Sequence, residues 1–272
     1  MRDAEASVRV FQWRENCCRL PAPVTERCAK RFEAARGVGD VLLGALFTIL
    51  SRMSSRIGKR FGRRDDLGLD KLEYATLGRL HTPQQIQTFV NAIPINHEIG
   101  GETVFSVRQV LAHHRAHCIE AALLAACALW IQGEPPRIMR LDCDASDYPH
   151  VVALFRRGAC WGAISKSNGV ALRYRDPIYR SLRELAISYF HEYSTPGGRK
   201  TLRSYAAPLD LRSVDPGLWV TADGCWELHE QLERRRHYPL LSAGQRQLLS
   251  RRDPFERASA KIVQYPRGAR RR

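Results

Sequence analysis

From Cys118 to Ile131 the chain is apolar almost throughout, and the run is stopped by Gly133 and Pro135-Pro136. That pattern predicts a largely buried helix with a defined end. Upstream, His81 to Val90 predicts a helix with Thr82 at its N-cap and Pro83 at the first helical position. Ile93, Pro94, Asn96 and Gly100-Gly101 then read as a loop, and Ser106 to Leu111 as a short helix leading to His117. Downstream the texture shortens. Arg137–Leu141 and His150–Phe155 predict strands, and Arg157-Gly158-Ala159 a hairpin turn into a third strand, Cys160–Ser165. Asp176-Pro177 is expected to cap a helix carrying Leu182, Leu185, Ala186, Tyr189 and Phe190 at spacings of three and four. The tail from Thr195 is more polar and broken by Pro and Gly, with one helix expected over Trp226–Arg235.

This order of helices and short strands predicts an α+β fold with the Cys118-bearing helix packed on an antiparallel sheet. Three regions are expected: a basic N-terminal extension at 1–66, a folded domain at 67–195, and a polar, basic extension at 196–272. Charge supports that division. The net charge is +15, yet residues 1–64 hold 14 Lys/Arg against 6 Asp/Glu and residues 263–272 hold four Arg, leaving +3 for residues 65–262. Basicity at the ends, with a nearly neutral middle, argues against nucleic acid as the partner. The patch Arg173-Tyr174-Arg175 with Arg180 and Arg183 is offset by Asp176 and Glu184 and reads as a solvated face. The apolar run Val41–Leu50 falls short of the roughly 20 residues a spanning helix needs. With its basic flank to Arg64 it is at most an interfacial segment, and a solvated extension is the preferred reading. Eight cysteines without a CxxC pair suggest neither a zinc site nor a disulfide framework, and free thiols point to the cytoplasm.

Two residue types carry candidate chemistry. Cys118 opens a helix, where the dipole favours thiolate over thiol. His150 opens a strand thirty-two residues later and supplies a proton shuttle if the fold brings it to the thiol. His117 adjoins Cys118, but neighbouring helical residues diverge by about 100°, which makes it a poor base for that thiol. His113 and His117 lack the carboxylate and remote ligands of a zinc site. Cys127 and Cys143 read as buried thiols.

Over residues 70–195 this arrangement resembles the transglutaminase-like superfamily, with its papain-like core. The resemblance rests on the Thr82-Pro83 helix start, a Cys on a helix ending in Gly133-Glu134-Pro135, a strand opening with His150-Val151-Val152, and a next strand beginning at Trp161. It implies that Cys118 is the nucleophile and His150 the acid/base, with a third polar side chain orienting the imidazole. The family's usual Asp falls at Ser165; Asn168, three residues on, offers the amide that papain-type enzymes use. The function expected is thiol-dependent acyl chemistry on a protein, peptide or small amide, by hydrolysis or transfer, with no cofactor and no metal. The rival readings are a non-catalytic interaction module with the same fold, and a basic protein that lies on membranes through its N-terminal extension.

Overall fold

In a computed structural model the described residues are 61–267; the run 41–50, the basic residues that follow it up to Arg60, and the closing arginines lie outside them. The helices are α1 (Arg64–Leu67), α2 (Lys71–Gly78), α3 (Pro83–Ala92), α4 (Val107–His113), α5 (Cys118–Ile131), α6 (Leu182–Ser188), α7 (Trp226–Glu233), α8 (Ala243–Gln247) and α9 (Pro254–Ser259). The strands are β1 (Arg137–Cys143), β2 (His150–Arg157), β3 (Cys160–Ile164), β4 (Arg175–Tyr179), β5 (Leu202–Ala206), β6 (Leu209–Asp210) and β7 (His237–Pro239). They form one antiparallel sheet in the order β4-β3-β2-β1-β5-β7, with β6 also paired to β1.

Local chemistry sets the helix starts. Thr82 accepts from the Gln85 N–H while the Gln85 amide returns to the Thr82 N–H, and Pro83 occupies the first turn. Ser106 and Gln109 make the same reciprocal cap on α4. At the far end of α5, Gly133 takes φ +85° and lets the Glu134 N–H turn back to the Leu129 carbonyl at 2.9 Å.

Both faces of the sheet are buried, and the alternation along the strands divides them. Ile138, Val151, Ala153 and Phe155 face a core filled by α5, whose positions from Ile119 to Trp130 are all buried, together with α3, α4 and α7. Met139, Leu141, Val152, Leu154 and Ala163 face the opposite side, against Leu185, Ala186, Tyr189 and Tyr193.

Three expectations change. Residues 196–272 are no separate appendage: β5 pairs with β1 through Leu141↔Tyr205, and β7 pairs with β5. The tail completes the sheet. At the other boundary, Leu67 is buried and the Gly62 N–H donates to the Trp130 carbonyl at 2.9 Å, so the packed body extends below residue 67. Asp176 and Pro177 do not cap α6; they lie in β4, an edge strand, where a proline's missing N–H costs no ladder bond. Ser181 caps α6, accepting from the Glu184 N–H at 3.1 Å.

Candidate active site

Cys118 is the first residue of α5 and is half-buried. His150 begins β2, paired across to Leu141 of β1. Two steps along the same face from His150, past Val152, lies Leu154, which pairs with Ala163 of β3. Ser165 follows β3 directly and extends that face toward His150. The result is a short contact: His150 Nε2 lies 2.7 Å from Ser165 Oγ, with both residues buried.

The direction of that bond follows from counting protons. The Ser165 hydroxyl donates its one hydrogen to the Leu172 carbonyl at 2.6 Å, since a carbonyl only accepts. Ser165 Oγ is then the acceptor toward His150, so Nε2 carries the proton and Nδ1 is the nitrogen left for chemistry. Ser165 is itself clamped. Its N–H donates to Gln87 Oε1 at 2.9 Å, and Gln87 Nε2 donates to its carbonyl at 2.8 Å. The next residue, Lys166, reaches back to the end of α3, donating to the carbonyls of Val90 at 2.9 Å and Ile93 at 2.5 Å. Helix α3 thus holds the segment that holds His150.

Asn168 does not join this set. Its amide pairs with the Tyr265 backbone, donating to the carbonyl at 3.0 Å and accepting from the N–H at 2.8 Å. Of the two residues proposed to orient His150, the structure sets Ser165 against the ring and Asn168 against the C-terminal segment.

His117 overturns the geometric argument against it. It is the N-cap of α5, with φ −99° and ψ −167°, so its side chain does not follow helical spacing. Nδ1 stands 4.0 Å from Cys118 Sγ. On the other side Nε2 donates to the Thr103 carbonyl at 2.8 Å and lies 3.3 Å from Glu120 Oε1 and 3.6 Å from Glu98 Oε1. Glu120 is completely buried and surrounded by donors: the N–H groups of Phe105 and His117 at 2.9 and 2.8 Å, Thr103 Oγ1 at 2.7 Å, and Asn96 Nδ2 at 3.2 Å. The one sequence signal for this network is a Glu three residues after the residue that precedes the helix.

These surroundings act on the thiol. Burial alone would raise the Cys118 pKa, but hydrogen bonding to His117 and His150, and the charge on both rings, hold it well below the ordinary thiol value. Elsewhere burial wins. It pushes Cys143 up to about 11 and Cys225 up to about 12, and Cys127 higher still. Cys127 is buried as expected, whereas Cys143 is only half-buried. For His117, burial pulls the imidazole down, but the bond and charge of Cys118, the charge of Glu120 and the Thr103 carbonyl outweigh it and raise it to about 9.

A cavity of about 350 Å³ adjoins this network, lined by Asn96, Glu98, Thr103, Phe105, His113 and Arg115 among others. Among the described residues no group of three or more His, Cys, Asp or Glu could hold a metal ion, and no helix is long and apolar enough to cross a membrane. The Arg173–Arg175 patch is partly consumed internally, with Arg175 bonded to Glu192 at 2.5 Å and stacked 4.0 Å over the Tyr189 ring. The sequence matches no protein-family model and none of the curated proteins. The chain is an α+β protein with an antiparallel sheet.

Proposed function

We propose that this protein performs thiol-dependent acyl chemistry on an amide or related acyl donor, with Cys118 as nucleophile and His150 as acid/base, on a transglutaminase-like core. The observation that supports it most is a helix-start thiol with a lowered pKa beside an imidazole whose far nitrogen is fixed by Ser165. In its thiolate–imidazolium form, Sγ attacks the carbonyl carbon and the π pair moves to oxygen. The Cys118 backbone N–H, at the positive end of α5, is assigned to that oxyanion. Collapse breaks the C–N bond, and the leaving amine takes the Nδ1 proton of His150. In the second half, water or an acceptor amine gives a proton to Nδ1 as it attacks the thioester, and Sγ leaves as thiolate. Ser165 accepts from Nε2–H throughout, doing for the ring what a carboxylate does elsewhere, with less charge stabilisation.

Iodoacetamide labelling read by peptide mass spectrometry tests the nucleophile. Near neutral pH, Cys118 should label at least about tenfold faster than Cys127 or Cys160, and Cys118→Ala should abolish turnover of an acyl substrate. Equal labelling of Cys118 and Cys160 would remove the basis for the proposal.

A further inference from the structure

A cysteine with one imidazole asks a single ring to do two things: to balance the thiolate charge and to give its proton away. Here a second imidazole, that of His117, stands 4.0 Å from the same sulfur. We propose that His117, held as an imidazolium by buried Glu120, is the standing counter-ion of the Cys118 thiolate, and that His150 is thereby freed to carry protons. The inference rests on Cys118 being the nucleophile and concerns how that nucleophile is kept charged.

The geometry argues for a fixed cation rather than a second shuttle. His117 Nε2 donates to the Thr103 carbonyl, which can only accept, and faces the carboxylates of Glu120 and Glu98 on the same side. Glu120 cannot turn away. Its two oxygens take hydrogen bonds from Asn96, Thr103, Phe105 and the His117 backbone, all within the loop and helix that frame the site. A carboxylate with no exposure to water is stabilised by a cation beside it, and among the described residues His117 is the cationic group set against Glu120, at 3.3 Å. Among the described residues Tyr193 also interacts with the thiol, and burial and the Cys118 charge push its hydroxyl well above its ordinary value, so it stays neutral.

The consequence is a division of labour. When the leaving amine takes the Nδ1 proton of His150, the thioester sulfur is neutral and His117 keeps its charge against Glu120. When deacylation expels the sulfur, the returning thiolate meets a cation already in position. His150 gains and loses one proton per cycle; His117 gains and loses none. A purely structural His117, satisfied by Thr103 alone, would leave the thiol's titration to His150.

The test is the alkylation rate of Cys118 by iodoacetamide, in which Sγ forms the S–C bond and iodide leaves, followed from about pH 5 to about pH 10. His150→Ala should keep the titration midpoint below the ordinary thiol value of about 8.5. His117→Ala should raise it by about one unit or more, a loss of about tenfold in rate at the acid end. The proposal is overturned if His117→Ala retains the parental midpoint, or if His150→Ala alone restores an ordinary one. A parent protein whose Cys118 already titrates as an ordinary thiol sinks the nucleophile itself, a different failure. Should His117→Ala not fold, the unaltered protein decides. Its imidazole proton signals are titrated before and after methyl methanethiosulfonate blocks Cys118, the sulfur forming a mixed disulfide and methanesulfinate leaving. The signal with through-space contacts to Thr103 should titrate about one unit lower once the thiolate is gone; an unchanged midpoint contradicts the pairing.

Discussion

Ser165 gives its one hydroxyl proton to the Leu172 carbonyl, and so can only accept from His150 Nε2, 2.7 Å away. That relation leaves Nδ1 of His150 as the nitrogen open to the proposed acid/base role. An aspartate here would point an anion at the Leu172 carbonyl. Ser165→Asp is therefore expected to destabilise the protein by roughly 1–3 kcal/mol instead of improving the site. Urea denaturation of the two proteins checks it.

Ser165→Ala removes the acceptor but no charge. The buried Nε2–H loses its partner, and the tautomer with Nδ1 free is no longer favoured. Acyl turnover should fall by about 10²-fold, with the Cys118 alkylation rate near neutral pH changed far less, because His117 still balances the thiolate.

Gln87 predicts a remote effect. Its amide supplies both partners of the Ser165 backbone, at 2.9 and 2.8 Å. Gln87→Ala should cost roughly 1–3 kcal/mol in unfolding free energy through two unsatisfied buried groups. It should also lower acyl turnover while leaving the pH midpoint of Cys118 alkylation in place. Gln87→Glu keeps an acceptor for the N–H but sets a carboxylate against the Ser165 carbonyl, and should be the worse of the two.

Asn168→Ala separates the two residues that the sequence offered as partners of His150. Because Asn168 binds both polar groups of the Tyr265 backbone, its loss should speed hydrogen exchange over residues 263–265 and leave Cys118 reactivity unchanged. A tenfold fall in turnover would put Asn168 back into the site.

The thiol also predicts a pH dependence of stability. The folded pKa of Cys118 lies well below that of the unfolded thiol, so its stabilisation is present above the unfolded value and lost as pH falls through the folded one. His117 is raised from 6.5 to about 9, so its stabilisation is full below 6.5 and lost as pH rises through about 9. The thiol therefore makes stability rise with pH above its folded value, while His117 makes it fall between 6.5 and about 9, and the two slopes oppose one another where they overlap. Blocking Cys118 with methyl methanethiosulfonate should remove the opposing rise and leave a net fall from His117, measured as the difference in unfolding free energy between about pH 7 and about pH 9.

What the sequence made legible had strong local marks. Thr82-Pro83 announced one helix through its cap, Ser106–Leu111 read as a second, Gly133 ended α5, and the run from His150 through the Gly158 turn gave the central hairpin. Cys118 and His150 stood out because each opens an element. The strand Arg175–Tyr179 was hidden by Asp176-Pro177, which marks a helix start as readily as an edge strand. β5, β6 and β7 are short, and their partners lie far away along the chain, so nothing local announces them. Gln87, and all of Glu120's role beyond its capping position, were hidden for a related reason. Each sits inside a helix, and its role is set by partners such as Asn96, Thr103 and Ser165 that only the fold brings near. Helical spacing does not govern His117, because its backbone is extended at the N-cap.

Nucleophilic catalysis by Cys118 is read most directly from the formation and decay of an acyl-enzyme. The protein is mixed with a chromogenic acyl ester, quenched over time, and weighed intact, with the modified residue located by peptide mapping. A single acyl group should form on Cys118 within a turnover and then be lost to water. In Cys118→Ala no such adduct should form, and in His150→Ala the adduct should persist because no base activates the incoming water. Acylation spread equally over Cys118 and Cys160, or an adduct on Cys118 that decays equally fast without His150, would contradict it.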